Sequence, residues 1–178
     1  MVYLFLADGF EELEAIAPLD ILRRAGVKVQ TVGVCGKTVV GSHGVPMICD
    51  ITVDKADAGG CEGVIFPGGP GRTKLAESFA VLELLRVAAQ RGALLAAICG
   101  SPPILGQQGY LRGKKACCYP GLEDGLVGAD VFNDPVVTDG NIITSRGAGT
   151  AILFGLALVE YLVSPEKANE VAEQIQCV

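Results

Sequence analysis

Short apolar runs of strand length alternate along this chain with longer stretches of helical period. Met1 to Ala7 is almost wholly apolar, which predicts a strand covered on both faces. Val27 to Val34, Val64-Ile65-Phe66 and Leu94 to Ile98 repeat that signal. Between the first two, Phe10 to Ala25 has a helical pattern that stops at Gly26, with Pro18 placed to kink it. Asp8 is positioned as its cap, and Glu11 three residues on would complete a capping box. Val39 to Ile51 holds two short extended pieces around the turn Gly41-Ser42-His43-Gly44. A second helix is predicted from about Ala80 to Arg91, with Val81, Leu84, Leu85 and Ala88 on one face.

The second half of the chain is less regular. A helix is predicted from Pro102 to about Gln108, then strand-like residues from Lys115 to Tyr119 and a short β piece near Val131. Val136 to Thr138 and Asn141 to Thr144 read as a hairpin joined at Asp139-Gly140. Gly149 to Val163 is an apolar helix, and Pro165 to Ile175 an amphipathic one capped by Ser164. The alternation implies an α/β fold: a mostly parallel sheet with helices on both faces, doubly wound, in one domain spanning residues 1–178. Ligands bind at the carboxyl ends of strands in such sheets. That singles out the loops Asp8–Phe10, Gly68–Gly71 and Cys99–Ser101.

Composition narrows the function classes. Half of the 178 residues are hydrophobic and 19% are charged, which fits a packed globular chain. A net charge of −6 without a basic cluster argues against nucleic acid and anionic membranes as partners. No apolar run approaches a membrane span, and Met1-Val2-Tyr3-Leu4 has no basic leader, so a cytoplasmic location is expected. Seven cysteines at irregular spacing suggest free thiols. Cys117 and Cys118 read as one inward and one outward residue of a strand. With a single histidine and no C-x-x-C pair, neither a metal nor another cofactor is expected.

One stretch stands out chemically. An apolar strand ends at Cys99, Gly100 and Ser101 follow, and Pro102 can open a helix where its missing N–H costs nothing. This is the pattern of a nucleophile elbow, a sharp strand-to-helix turn that exposes one reactive side chain. A helix N-terminus behind Cys99 would lower its thiol pKa. The competing reading is a cysteine that merely fills core space.

No histidine follows Cys99, which removes the Cys–His chemistry of cysteine proteases and glutamine amidotransferases. His43, far upstream in a turn, reads as a solvated structural residue. Glu11 and Glu12 suit the helix dipole. Glu14 differs, because Pro18, Ile21 and Leu22 at +4, +7 and +8 place it on the apolar face. There it is either a buried structural acid or a proton donor to Cys99. The amides of Gly69 and Gly100 are the candidate oxyanion donors. Arg146 to Thr150 reads as a tight strand-to-helix turn, since Ile152 stands where a dinucleotide fingerprint needs its third glycine.

The chain resembles the DJ-1/ThiJ/PfpI superfamily over nearly its full length, and its DJ-1/ThiJ branch most closely. The resemblance rests on Asp8 to Glu14, Pro18 to Gly26, Pro67-Gly68-Gly69, Ala96-Ala97-Ile98-Cys99 and Thr144 to Thr150. It implies a flavodoxin-like three-layer sandwich and a homodimer. It further implies that Cys99 is the reactive cysteine, Glu14 its hydrogen-bond partner, and Gly69 and Gly100 its backbone donors. Implied activities are glutathione-independent glyoxalase or deglycase chemistry on α-oxoaldehydes such as methylglyoxal, peroxide sensing through a cysteine sulfinate, and chaperone action. A small aldehyde or a peroxide is the implied partner. Gly100 stands where the protease branch has a histidine, which counts against proteolysis.

Two departures touch the pocket. Tyr119 precedes Pro120 where many members have a histidine, and Ser42-His43 replaces the usual Ser-Arg. Tyr119, His43 and Arg24 are the remaining candidate pocket residues.

Overall fold

A computed structural model describes residues 1–177. Its elements follow one another as strands and helices in near alternation. The first half contains β1 (Val2–Leu6), α1 (Glu12–Arg24), β2 (Val29–Gly33), β3 (Thr38–Val40), β4 (Pro46–Ile48), β5 (Ile51–Thr52) and β6 (Gly63–Phe66). Next come α2 (Arg72–Glu77), α3 (Phe79–Gln90), β7 (Leu94–Ile98), α4 (Pro102–Gln107), β8 (Lys115–Ala116) and β9 (Asp130–Val131). The chain closes with β10 (Val136–Asp139), β11 (Ile142–Ser145), α5 (Ala151–Leu162) and α6 (Pro165–Gln174).

Seven strands form the central sheet in the order β10-β11-β7-β6-β1-β2-β5. All neighbours are parallel except β10 and β11, the expected hairpin, which turns at Gly140. The pleat of β1 shows how one strand feeds two cores. Leu4 and Leu6 pack with Leu22 of α1, Phe154 of α5 and Val171 of α6 on one face. Tyr3 and Phe5 pack with Val81 and Leu85 of α3 and Leu105 of α4 on the other. Every residue of β1, β6 and β7 is buried, which is why these segments read as unbroken apolar runs. The result is the flavodoxin-like sandwich with helices on both faces. Among the described residues no helix is long and apolar enough to cross a membrane.

Local signals held in some places and yielded in others. Ser164 caps α6 by accepting from the Lys167 amide at 3.2 Å, and Ser78 caps α3 through Val81. Asp8 caps nothing: α1 starts at Glu12, and Asp8 Oδ1 accepts from the Val40 amide at 2.9 Å, tying the loop to β3. Pro18 lies within an unbroken α1. Of the strand predicted from Lys115 to Tyr119, only two residues pair, in parallel with β9. Cys117 and Cys118 are both buried, not one in and one out, because both faces of this segment are covered. All seven cysteines are free thiols. The short helix α2, which no periodicity announced, follows directly on the Gly68–Gly71 loop.

Candidate active site

β6, β7 and the loop after β1 end side by side at the carboxyl edge of the sheet, and their loops converge on Cys99. The Cys99 backbone has a φ of 64°, a left-handed conformation that is costly for any residue with a β-carbon. Three contacts hold it there. Its N–H donates to Ser145 O at 2.8 Å, and its carbonyl accepts from the Tyr119 amide at 2.8 Å. Next to it, the buried Ser101 hydroxyl donates to Pro67 O at 2.7 Å. The strained elbow is therefore clamped by β11, the loop at Tyr119 and the loop at Pro67.

Glu14 is completely buried, and Oε2 accepts from the Gly68 amide at 2.7 Å. Oε1 is buried with no hydrogen-bond donor among the described residues. Burial pushes this carboxyl up to about 7; the Cys99 thiol and the Gly68 amide beside it pull the other way without prevailing. Cys99, half-buried, is pushed up to about 12, first by burial and then by the negative charge of Glu14. The thiol is thus not the low-pKa group that an isolated helix terminus would make. α4 has only six residues, and burial of the thiol together with the neighbouring carboxylate outweighs its dipole. Near neutral pH the carboxyl is therefore the group of the pair that titrates, while the thiol keeps its proton.

The backbone amides of Gly100 and Gly69 lower the Cys99 thiol, against the burial and the Glu14 charge that raise it. Gly69 reaches this position with a φ of 82°, where a β-carbon would meet Gly9 O at 2.4 Å. Gly68 is wedged between Glu14 and Cys99: a β-carbon there would lie 2.7 Å from Glu14 Oε2 and 2.8 Å from Cys99 Cβ. Its part was not visible in the sequence, where the neighbouring Gly69 drew attention.

A hollow of about 330 Å³ opens over the sulfur, lined by Gly69, Arg72, Cys99, Gly100, Tyr119 and Leu122 among others. Its size suits a small molecule. Tyr119 is at its wall. His43 and Arg24 are not. Arg24 lies in the last turn of α1, paired with Asp20 at 2.7 Å, about 15 Å along the helix from Glu14 at the usual rise per residue.

His43 is 70% exposed on the β3–β4 turn, where its Nδ1 lies 2.9 Å from Glu12 Oε2. Glu12 also accepts from the His43 and Val45 amides, so it fastens this turn and is more than a dipole partner. Burial opposes its charge, but these donors hold its carboxyl down at about 2. The His43 imidazole is raised in turn by its bond to Glu12 and by the charges of Glu11 and Glu12. Glu11, Glu12 and His43 bring ligand atoms within 4.8 Å of one another, a grouping the sequence did not suggest. Arg72, at the start of α2, was also missed; no local pattern places it against Gly100.

Residues 1–161 match the model of the DJ-1/PfpI family. The chain belongs to the DJ-1/PfpI family. It is 41% identical over 172 residues to protein dj-1beta of Drosophila melanogaster, a match covering 94% of this chain and 92% of that one. It is 34% identical over 167 residues to glutathione-independent glyoxalase DJR-1.2 of Caenorhabditis elegans, covering 93% and 89%. Among solved structures, oxidised DJ-1 of Toxoplasma gondii superposes with a TM-score of 0.94 at 34% identity, covering 98% and 97%.

Proposed function

We propose that this DJ-1 family protein converts small α-oxoaldehydes such as methylglyoxal to 2-hydroxy acids without glutathione, using Cys99 as nucleophile. One observation carries this reading: a carboxyl group pushed up to about 7 lies beside a thiol on a strained elbow. A group of that pKa can both take and give a proton at neutral pH. Glu14 takes the Cys99 proton as the sulfur bonds to the aldehyde carbon, and the carbonyl electron pair moves to oxygen. The protonated Glu14 then returns the proton to that oxygen, giving a hemithioacetal. Transfer of the hydrogen at the aldehyde carbon to the neighbouring ketone carbon, as a proton through an enediol, oxidises the first and reduces the second. Water releases the resulting thioester as a 2-hydroxy acid, and the thiol is restored. No external oxidant enters. The similarity to a relative named as a glutathione-independent glyoxalase supports the same reading. In it the protein works in the cytoplasm as a homodimer with no bound cofactor, and Tyr119 occupies the wall where many relatives carry a histidine. Deglycase chemistry would use the same Cys99–Glu14 pair.

A second reading has its own support. The backbone amides of Gly100 and Gly69 favour negative charge on the sulfur, and a protonated Glu14 could hydrogen-bond an oxidised one. Such a site would hold a sulfinate and act as a peroxide sensor or redox-controlled chaperone. The structural relative in its oxidised form is in keeping with this.

Lactate formation from methylglyoxal, without glutathione, by wild type beside Cys99→Ser separates the two. Lactate that depends on Cys99 supports the enzyme. No lactate above background, together with a peroxide-dependent mass gain confined to Cys99, turns the assignment to the sensor.

A further inference from the structure

We propose that Arg72 is the recognition residue for a carboxylate on the substrate, so that the preferred substrates are α-oxoaldehydes carrying an anionic tail. This rests on the glyoxalase reading above for its chemistry, but the binding site itself does not.

Arg72 stands on the ridge between two hollows. One is the chamber over Cys99; the other, of about 340 Å³, extends away between α2, α4 and the loop at Leu122. Arg72, Gly100 and Leu122 line both. The arginine stem lies on Gly100, so closely that a β-carbon there would be 2.7 Å from Arg72 Cδ and 2.8 Å from Nε. Gly100 directly follows Cys99, and Arg72 and Cys99 line the same hollow, so the arginine is held beside the reacting atom.

Its charge is unspent. The guanidinium makes one long hydrogen bond, from Nη1 to Gly69 O at 3.4 Å, and no ion pair among the described residues. Its other four N–H donors have no partner among the described residues, and the residue lines both hollows. A cation half-buried at the mouth of a nucleophile's chamber is suited to a planar anion that accepts two parallel hydrogen bonds, which is what a carboxylate offers. Asp124 lines the outer hollow too. One positive charge with a carboxylate lining the same hollow matches a monoanion better than a dianionic phosphate. Thr73 and Gln107 add polar groups for the tail.

The chemistry needs no change. With 4,5-dioxovalerate the aldehyde carbon is oxidised to a carboxyl and the adjacent ketone carbon reduced to an alcohol. One water is consumed and 2-hydroxyglutarate leaves, while the distal carboxylate stays on Arg72.

Two measurements on the full chain test this. The first compares kcat/KM for 4,5-dioxovalerate and methylglyoxal in wild type, Arg72→Met and Arg72→Lys. Methionine keeps the apolar stem over Gly100, and lysine keeps the charge without the fork. The ratio should favour the acid in wild type, fall roughly tenfold in Arg72→Met, mainly through KM, and lie between in Arg72→Lys. The second needs no turnover: levulinate, which has the carboxylate and a ketone but no aldehyde, should slow iodoacetamide labelling of Cys99 in wild type and not in Arg72→Met. Protection by levulinate with neither aldehyde turned over supports the carboxylate site and overturns the glyoxalase reading alone. An unchanged substrate ratio, or levulinate that protects neither protein, overturns the role of Arg72.

Discussion

Gly68 donates its amide to Glu14 Oε2 at 2.7 Å and leaves Oε1 of the same carboxyl buried with no donor among the described residues. One oxygen is satisfied, and the other has no donor unless the proton is on the pair. A buried carboxylate oxygen without a donor is costly, while a carboxylic acid there can donate to the sulfur. We expect this half-satisfied acid to govern both the reactivity of Cys99 and the behaviour of the site with pH.

The first expectation concerns Cys99 reactivity. Near neutral pH the pair loses one proton, because burial has raised Glu14 to about 7 while the thiol, facing that charge, stays at about 12. Labelling of Cys99 by iodoacetamide should therefore rise with an apparent midpoint near 7 that belongs to the pair. In Glu14→Gln the base is gone, and burial alone keeps the thiol high, so the midpoint should move into the alkaline range. A profile that Glu14→Gln leaves in place would show that the two groups are not coupled.

Stability should run against activity at the same residue. The folded-state pKa of Glu14 is raised, from 4.5 to about 7. An acid raised on folding favours the folded state when protonated. That contribution is complete below 4.5 and is lost as pH climbs through about 7. At pH 8 the charge costs the fold up to roughly 3 kcal/mol, at about 1.4 kcal/mol for each pKa unit. Glu14→Gln should therefore raise the Tm at pH 8, with the gain vanishing near pH 4. Thermal unfolding at the two pH values checks it, and an equal gain at both would implicate packing instead.

Gly68 gives a steric test that leaves every ionisable group in place. A methyl at this position would press on Glu14 Oε2 and on Cys99 Cβ together. In Gly68→Ala the carboxyl and the elbow must separate, and misplacing a reacting group by a fraction of an ångström is expensive in rate. Cys99 labelling at pH 7 should drop by about tenfold or more, with far-UV circular dichroism unchanged. Wild-type reactivity in Gly68→Ala would mean that the two groups need not touch.

What the sequence disclosed and what it hid follow one physical division. Cys99 was legible because an apolar run, a small residue after it and a proline at the next helix start are all local. Glu14 was legible because helical spacing alone puts it on the face of Pro18, Ile21 and Leu22. The parallel sheet was legible because strands buried on both faces leave unbroken apolar runs. Contacts across the chain were not. Asp8 looked like a helix cap, yet its carboxylate went to an amide 32 positions away in a hairpin whose place only the tertiary fold decides. Glu12 reached 31 positions to His43, and Arg72 came to lie on Gly100 from a helix too short to show a period. Lys115 to Tyr119 looked like a longer strand because burial on both sides makes a buried loop as apolar as a strand.

The packing that sets the depth of Glu14 can be tested at a distance from the chemistry. α1 and α5 cross where Gly155 faces Pro18 and Ile21, and a β-carbon on Gly155 would lie 3.1 Å from Pro18 Cα and 2.8 Å from Ile21 Cδ1. The Ile21 tip can rotate away, but the Pro18 backbone cannot, so α1 must shift outward. Alanine gains up to about 1 kcal/mol over glycine inside a helix. Overpacking of a tight crossing costs about 1–3 kcal/mol. The second effect should win, lowering the Tm of Gly155→Ala by a few degrees. Moving α1 outward also loosens the seat of Glu14, one turn before Pro18. The apparent midpoint of Cys99 labelling should therefore fall from about 7 toward the usual carboxylate range as water reaches the carboxyl. A destabilised Gly155→Ala whose midpoint does not move would place the control of Glu14 in the Gly68 loop alone.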